Sequence, residues 1–353
     1  MSYIMKIDFV LPWVDPNDKN WQESRNYYSK ANLPPNSNKS NSTFRFRDFE
    51  TLKYVLRSIE YNCPWYNKIY LITEGHYPKW LDITNKKIQV ITHQELYFNK
   101  QHLPIFNSSS IEMNILNIPN LSENFVYLND DTIIYNPLAK SRFFTNGLPV
   151  DFISHGLLSR GKFYSLLKGK DFWTNALNNN IKLINSNNKI NIKKIERNKL
   201  YHTSYSLNDK FCNFLLKNLF KKFFWFEHWH HPQAYCKQTL RDVYELYHTE
   251  MENCSKNKFR DSTDLTHYLY RYYHLSKGTF YPFKFNDGII KNIDSINTLN
   301  EVIKVLENTK KFNFVCFNDS DLLLEKDFPY AKVLLNNFLA KKFPLKASFE
   351  CKE

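Results

Sequence analysis

Residues 6–131 alternate between two hydrophobic periods, and that alternation limits the folds open to the chain. "KIDFVLPWV" (6–14) reads as a short buried strand ended by a proline, and the polar stretch behind it is full of turn signals. "FETLKYVLRSIEYN" (49–62) sets Leu52, Val55, Leu56 and Ile59 at helical spacing. "KIYLIT" (68–73) and "KIQVIT" (87–92) return to strand character. "SSIEMNILNI" (109–118) predicts a helix behind a serine cap, and "NFVYLN" (124–129) a further strand. This order predicts an α/β fold with a doubly wound, mostly parallel sheet.

In such sheets ligands bind beyond the carboxyl ends of the strands. Asp15 follows the first predicted strand, and Asn129-Asp130-Asp131 close the last. Adjacent carboxylates on an apolar support repel each other and lose hydration. A divalent cation clamping a diphosphate would stabilise them, because Mg²⁺ is usually held by one or two carboxylates plus phosphate oxygens. An Asx turn leaving the strand is the plain alternative, and the residues alone leave both open.

The second half is less regular. Residues 151–225 show weak periodicity, and the polar segment 184–199 reads as a loop. "FWFEHWHHPQAY" (223–235) is dense in aromatics and histidine, and its Pro232 suits the first turn of a helix. Helical spacing follows in 238–251, in 262–278 with Gly278 as the stop, and in 328–343. "FNFVCFNDSD" (312–321) predicts a strand that again ends in Asn-Asp.

One of His228, His230 and His231 could serve as a general base or a metal ligand; hydrogen-bonded imidazoles in an aromatic core are the alternative. Arg45, Arg47 and Arg260 could fork onto phosphate or pair with a local acid.

Composition removes several classes. Only 7 glycines occur among 353 residues, and neither a dinucleotide fingerprint nor a P-loop is present. The net charge of +13 concentrates anions, but the lysines are spread out, so a dedicated nucleic-acid patch is not expected. Six cysteines without paired spacing suggest reduced thiols in the cytoplasm. No run approaches the roughly 20 apolar residues of a membrane span, and no signal peptide is evident, so a peripheral seat at the inner face of the membrane is the most contact expected there.

Read in order, "IDFVLPWVD" (7–15), "RFRDFETLKYVLRSIEYNCPWYNKIYLIT" (45–73), "PKWL" (78–81), "ITHQELY" (91–97) and "LPIFNSSSIEMNILNIPNLSENFVYLNDD" (103–131) resemble the first two conserved regions of the Stealth family. "HHP" (230–232), "KFRDSTDLTHYLYRYYHLSKG" (258–278) and "FVCFNDSD" (314–321) resemble its later regions. That family contains bacterial capsular polysaccharide phosphotransferases and the animal enzyme that places GlcNAc-1-phosphate on lysosomal proteins.

The resemblance implies a glycosyltransferase-A-like core and a single catalytic domain over 1–345. Its parts would be a nucleotide-sugar half (1–150), a variable insertion (151–225) and an acceptor half (226–345). It implies transfer of a hexose-1-phosphate from a nucleotide-sugar, such as a UDP-hexose or UDP-GlcNAc, to a hydroxyl of a polysaccharide or oligosaccharide acceptor. Asp130 and Asp131 would hold Mg²⁺ or Mn²⁺, and His230 would be the base. Asp8 matches the acid of the first motif, and Arg260, matched to a fourth region, would neutralise phosphate. Asn107, Ser108, Glu112 and Arg47 are carried over as donor-binding residues. Leu11-Pro12-Trp13-Val14 and Pro104-Ile105-Phe106 depart from the family's usual Tyr-Thr-Trp-Val and Pro-Thr-Phe, which bears on donor preference. An ordinary glycosyltransferase, releasing nucleoside diphosphate, and a non-catalytic glycan- or nucleic-acid-binding protein are the competing readings.

Overall fold

In the computed structural model of the chain the residues described are 5–32, 47–154, 156, 172–187, 190–220, 222–227 and 230–351. Four parallel strands come from the first half: β1 (Ile7–Pro12), β2 (Ile69–Thr73), β3 (Ile88–Thr92) and β4 (Asn124–Tyr127). They lie in the order β3-β2-β1-β4. Alternate side chains of β1 enter different cores. Val10 packs with the helices of one face, and Phe9 and Leu11 with those of the other. That two-sided burial is what a continuous apolar strand requires. The mostly parallel α/β core is therefore as expected.

The connections carry helices: α1 (Lys19–Asn32), α2 (Leu52–Asn62), α3 (His93–Leu96) and α4 (Ser108–Glu112). The described part of the polar stretch after β1 thus contains a helix, Lys19–Asn32. The Asp18 carboxylate accepts the Trp21 N–H at its start, and the buried Trp21 ring meets Phe106 edge-on. α4 is capped by Asn107, whose side chain accepts the Ser109 N–H, and not by a serine.

β4 does not stop at the acids. The chain crosses Asn129-Asp130-Asp131 and enters β5 (Thr132–Ile134), which belongs to a second sheet. β6 (Phe144–Thr145) and β7 (Leu148–Asp151) begin a third.

The described residues of the middle segment are largely helical. α5 (Phe172–Ser186) and α6 (Arg197–Leu200) flank a 3₁₀ turn at Ile192–Lys194. Residues 184–199 are therefore not an irregular loop. Ile192, Ile195 and Leu200 are buried, and the Asn191 side chain caps the turn, anchors that the polar composition masked. α7 (Leu207–Leu215) follows behind a Ser206–Asp209 capping box and runs into a π-helical turn at Leu216–Phe220.

Pro232 opens a strand, not a helix. β8 (Gln233–Cys236) joins the main sheet antiparallel to β4, with Tyr127 opposite Gln233. α8 (Lys237–Ser255) and α9 (Tyr268–Lys277) pack beneath it. α9 ends at Gly278, whose left-handed φ of 72° suits a residue without a Cβ. β9 (Tyr281–Pro282) pairs with β7, and β10 (Gly288–Ile293) with β11 (Phe314–Asp319). β11 in turn pairs antiparallel with β5, setting Cys316 opposite Thr132. α10 (Ile296–Asn308) and α11 (Phe328–Lys342) cover the second core. No helix of the described residues is long and apolar enough to cross a membrane.

Candidate active site

β4 and β8 run in opposite directions, so the end of one meets the approach to the other. That pairing brings His230 beside the acids. His230 Nε2 lies 3.4 Å from Asp131 Oδ1 and 3.0 Å from Asn129 Nδ2. The second sheet contributes Cys316, whose thiol donates to Asp131 Oδ2 over 3.3 Å.

The charges are poised against one another. Burial alone would lower the His230 pKa, but the hydrogen-bonded Asp131 carboxylate and Asp130 together hold it above its usual value. Burial would likewise raise Asp131, yet His230 keeps it below the ordinary carboxylate value. For Asp130 the His230 charge does not suffice. Burial, with Asp131 and Asp48 nearby, pushes it up to about 8. Asp48 is itself raised, by burial first and with Glu50 and Asp15 adding to it.

The donor set decides which ions fit. Asp131, His230 and Cys316 offer three atoms within 4.8 Å of one another. The Cys316 thiol is held protonated, by burial first and then by Asp131, which suits a hydrogen-bond donor and not a ligand for a hard cation. The Asp130–Asp131 pair does suit one. None of the described side chains donates a hydrogen bond to the Asp130 carboxylate, and its raised pKa marks a place short of positive charge.

Glu112 stands one layer deeper. Its carboxylate accepts from Tyr127 Oη at 3.1 Å and from the His267 N–H at 2.8 Å. Burial pushes it up to about 7, while those donors and the Arg260 charge pull the other way. The Arg260 charge thus acts on Glu112, and the Glu112 charge on His230. Asn107 is fully buried. Its amide donates to the carbonyls of Asn257 and Phe259 and to Asp264 Oδ2, so it braces the loop that carries Arg260. Ser108 is half-buried at the start of α4.

Two of the expected residues lie elsewhere. Asp8 sits near the amino end of β1, opposite Phe125, about 15 Å from the acids at ~3.3 Å per residue. Its oxygens accept from Asn67 Nδ2 at 2.6 Å and from the Ser122 N–H at 2.7 Å, so it staples two loops and does not reach the site. Arg47 is committed to the chain itself. Its guanidinium forks onto Asp319 at 2.8 and 2.7 Å and also donates to the carbonyls of Ser320 and Leu323. Asp319, left without a role by the sequence, is the anchor for Arg47. Arg45 and His228 lie outside the described residues.

The site opens onto two cavities that share His230, Asp209, Glu227 and Ile290. One, of about 520 Å³, is lined further by Ser204, Ser206, Lys284 and Asn286. The other, of about 440 Å³, is lined by Trp173, Trp225 and Tyr268. Lys284 bridges Asp209 at 3.1 Å and Glu227 at 2.8 Å between them. Behind this wall, the fully buried Arg271 pairs with Asp151 at 2.7 Å, and His274 Nε2 lies 2.8 Å from the same carboxylate. Sequence reasoning named none of Asp209, Glu227, Lys284, Asp151, Arg271 or His274. Their partners lie tens of residues away, and no local spacing marks them.

The α/β core thus sets a histidine against paired acids at the carboxyl edge of its main sheet. Residues 5–33 match Stealth protein CR1, conserved region 1; 45–150 match conserved region 2; and 229–276 match conserved region 3. Arg260 therefore falls in the third region and not in a fourth. The chain is 36% identical, over 100% of both sequences, to the capsular polysaccharide phosphotransferase WcwK of Streptococcus pneumoniae. It is 33% identical to the exopolysaccharide phosphotransferase cps2G of Lactiplantibacillus plantarum, over 98% of this chain and 96% of the relative. Among solved structures, the galactosyltransferase LgtC, in complex with donor and acceptor sugar analogues, aligns over 95% of each chain at a TM-score of 0.36 and 8% identity. At that distance it says nothing of the reaction. The chain belongs to the Stealth family and is an enzyme, a phosphotransferase of the capsular and exopolysaccharide type.

Proposed function

We propose that the chain transfers a hexose-1-phosphate from a nucleotide-sugar to a hydroxyl of an acceptor glycan, with His230 as general base. The placement of His230 carries this reading: its ring meets the acid pair on one side and opens onto two cavities on the other. The acceptor oxygen attacks the phosphorus that bears the sugar. The bond from that phosphorus to the bridging oxygen breaks, nucleoside monophosphate leaves, and the acceptor proton goes to the His230 imidazole. The product is a phosphodiester between sugars. Such a transfer mostly requires positioning and neutralisation of charge.

Asp130 and Asp131 would hold Mg²⁺ or Mn²⁺, which neutralises diphosphate charge when bound. Arg260 adds a fixed positive charge beside Glu112. Asn107 sets the Arg260 loop, and Ser108 and Glu112 line the donor side. The cavity with Trp173, Trp225 and Tyr268 offers ring faces to the acceptor sugars, and Asp209, Glu227 and Lys284 offer hydrogen bonds. The protein works from a peripheral seat on the inner face of the membrane.

The test is ³¹P NMR of the purified protein with Mg²⁺, a short acceptor glycan and a panel of nucleotide-hexoses. A new phosphodiester signal with nucleoside monophosphate supports the reading. Nucleoside diphosphate without that signal assigns an ordinary glycosyltransferase and overturns it.

A further inference from the structure

α7 turns its large apolar side chains outward, while two of the three residues it buries, Asp209 and Asn213, are polar. Its inner face buries Cys212, and Leu216 is buried just beyond its end. Its outer face carries Leu207, Phe211 and Phe214 at i, i+4 and i+7, one stripe along the helix. The π-helical turn adds Leu219 and Phe220. These five side chains are between 46% and 85% exposed. A soluble surface gains nothing from five large apolar groups on one short element.

The charges on the helix and its turn are mostly positive, with the exposed Glu196 as a nearby acid. Within 207–222 the only acid is Asp209, which is buried and paired with Lys284. Lys210, Lys217 and Lys222 flank the stripe. The 3₁₀ turn with the exposed Lys193 and Lys194 packs beside the π-helical turn. Apolar side chains ringed by lysines match an anionic lipid surface, where rings enter the headgroup boundary and ammonium groups meet phosphate.

We propose that the outer face of α7 and the adjoining turn form a docking surface for an anionic bilayer, resting on the peripheral seat proposed above. The same helix turns Asp209 into the cavity walls from the side opposite the stripe, so docking would hold the cavities one helix away from the membrane. A second copy of the chain is the competing occupant.

Cosedimentation with phosphatidylcholine vesicles containing about one-third phosphatidylglycerol tests the proposal. The full chain is expected to pellet with these vesicles at low salt and to be released as salt rises. The exposed pair Phe211→Ser/Phe214→Ser is expected to lose at least about tenfold in partitioning, with an unchanged melting temperature. Lys193→Glu/Lys194→Glu should weaken binding to the same vesicles. Three results overturn the proposal: no pelleting of the full chain, undiminished pelleting of the phenylalanine variant, or a dimer that the phenylalanine variant dissolves while vesicles bind neither form. The assay contains no donor. Failed lipid binding therefore leaves the transfer reaction standing, and a failed NMR assay leaves the docking surface standing.

Discussion

His230 Nε2 stands 3.4 Å from Asp131 Oδ1, although 99 residues separate the two in the chain. The contact exists because β8 returns along β4, so the approach to one strand meets the exit of the other. It ties the proposed base to the proposed metal carboxylates. His230→Ala should lower turnover on the order of 10²- to 10⁴-fold while circular dichroism and melting stay near those of the parent. Near-normal phosphodiester formation by the variant would remove the base assignment.

In the metal-free protein the His230 ring should titrate above its ordinary pH, because the acid pair favours the charged imidazolium. Asp131→Asn removes the stronger of those carboxylates and should bring the titration down. A divalent cation on the acids should do the same, since it cancels their charge. Side-chain histidine NMR across the neutral range reads all three, and an upward shift in the variant would contradict the sign.

Chelation should abolish turnover, and Mg²⁺ or Mn²⁺ should restore it. Independently of activity, Mn²⁺ should raise the melting temperature of the parent by mass action. Asp130→Asn/Asp131→Asn should show no such rise. Full turnover in chelator would remove the metal from the reading.

Asp8 and Arg47 separate structural work from donor binding. Asp8→Asn weakens the bonds to Asn67 and Ser122 and should cost about 1–3 kcal/mol in urea unfolding, with KM for the donor unchanged. Arg47→Lys loses the fork onto Asp319 and should behave the same way. Without loss of stability, a raised donor KM would return Arg47 to the donor site and a lowered kcat would return Asp8 to the catalytic one.

Arg271→Met leaves Asp151 in the interior without its guanidinium partner. The loss should be about 3–5 kcal/mol in denaturant unfolding. In the parent, Arg271 and His274 overcome burial and hold Asp151 below the ordinary carboxylate pKa. The stability this confers is therefore present above the carboxylate's unfolded pKa and fades as pH falls through its folded one. An unfolding free energy flat through that acid range would contradict the assignment.

The first half of the fold was legible because its strands are apolar and its helices keep strict spacing. Leu52, Val55, Leu56 and Ile59 are all buried where their period places them. The acid pair and His230 were legible by motif, and the sheet does bring them together. What failed were readings of local polarity against long-range contact. The stretch behind β1 looked like a loop, yet one buried tryptophan and an aspartate cap make it a helix. Pro232 looked like a helix start, but the free edge of β4 recruits the residues behind it. Arg47 looked available to phosphate because its partner, Asp319, lies 272 residues away.

The crossing from β4 to β5 has a consequence for how the protein is made. β4 waits for β8, and β5 waits for β11, whose residues lie at 314–319. Domains form as their residues emerge from the ribosome, amino end first. The segment with both carboxylates is therefore synthesised early, with β1 and α2 already beside it, and gains β8 and β11 only once nearly the whole chain has emerged.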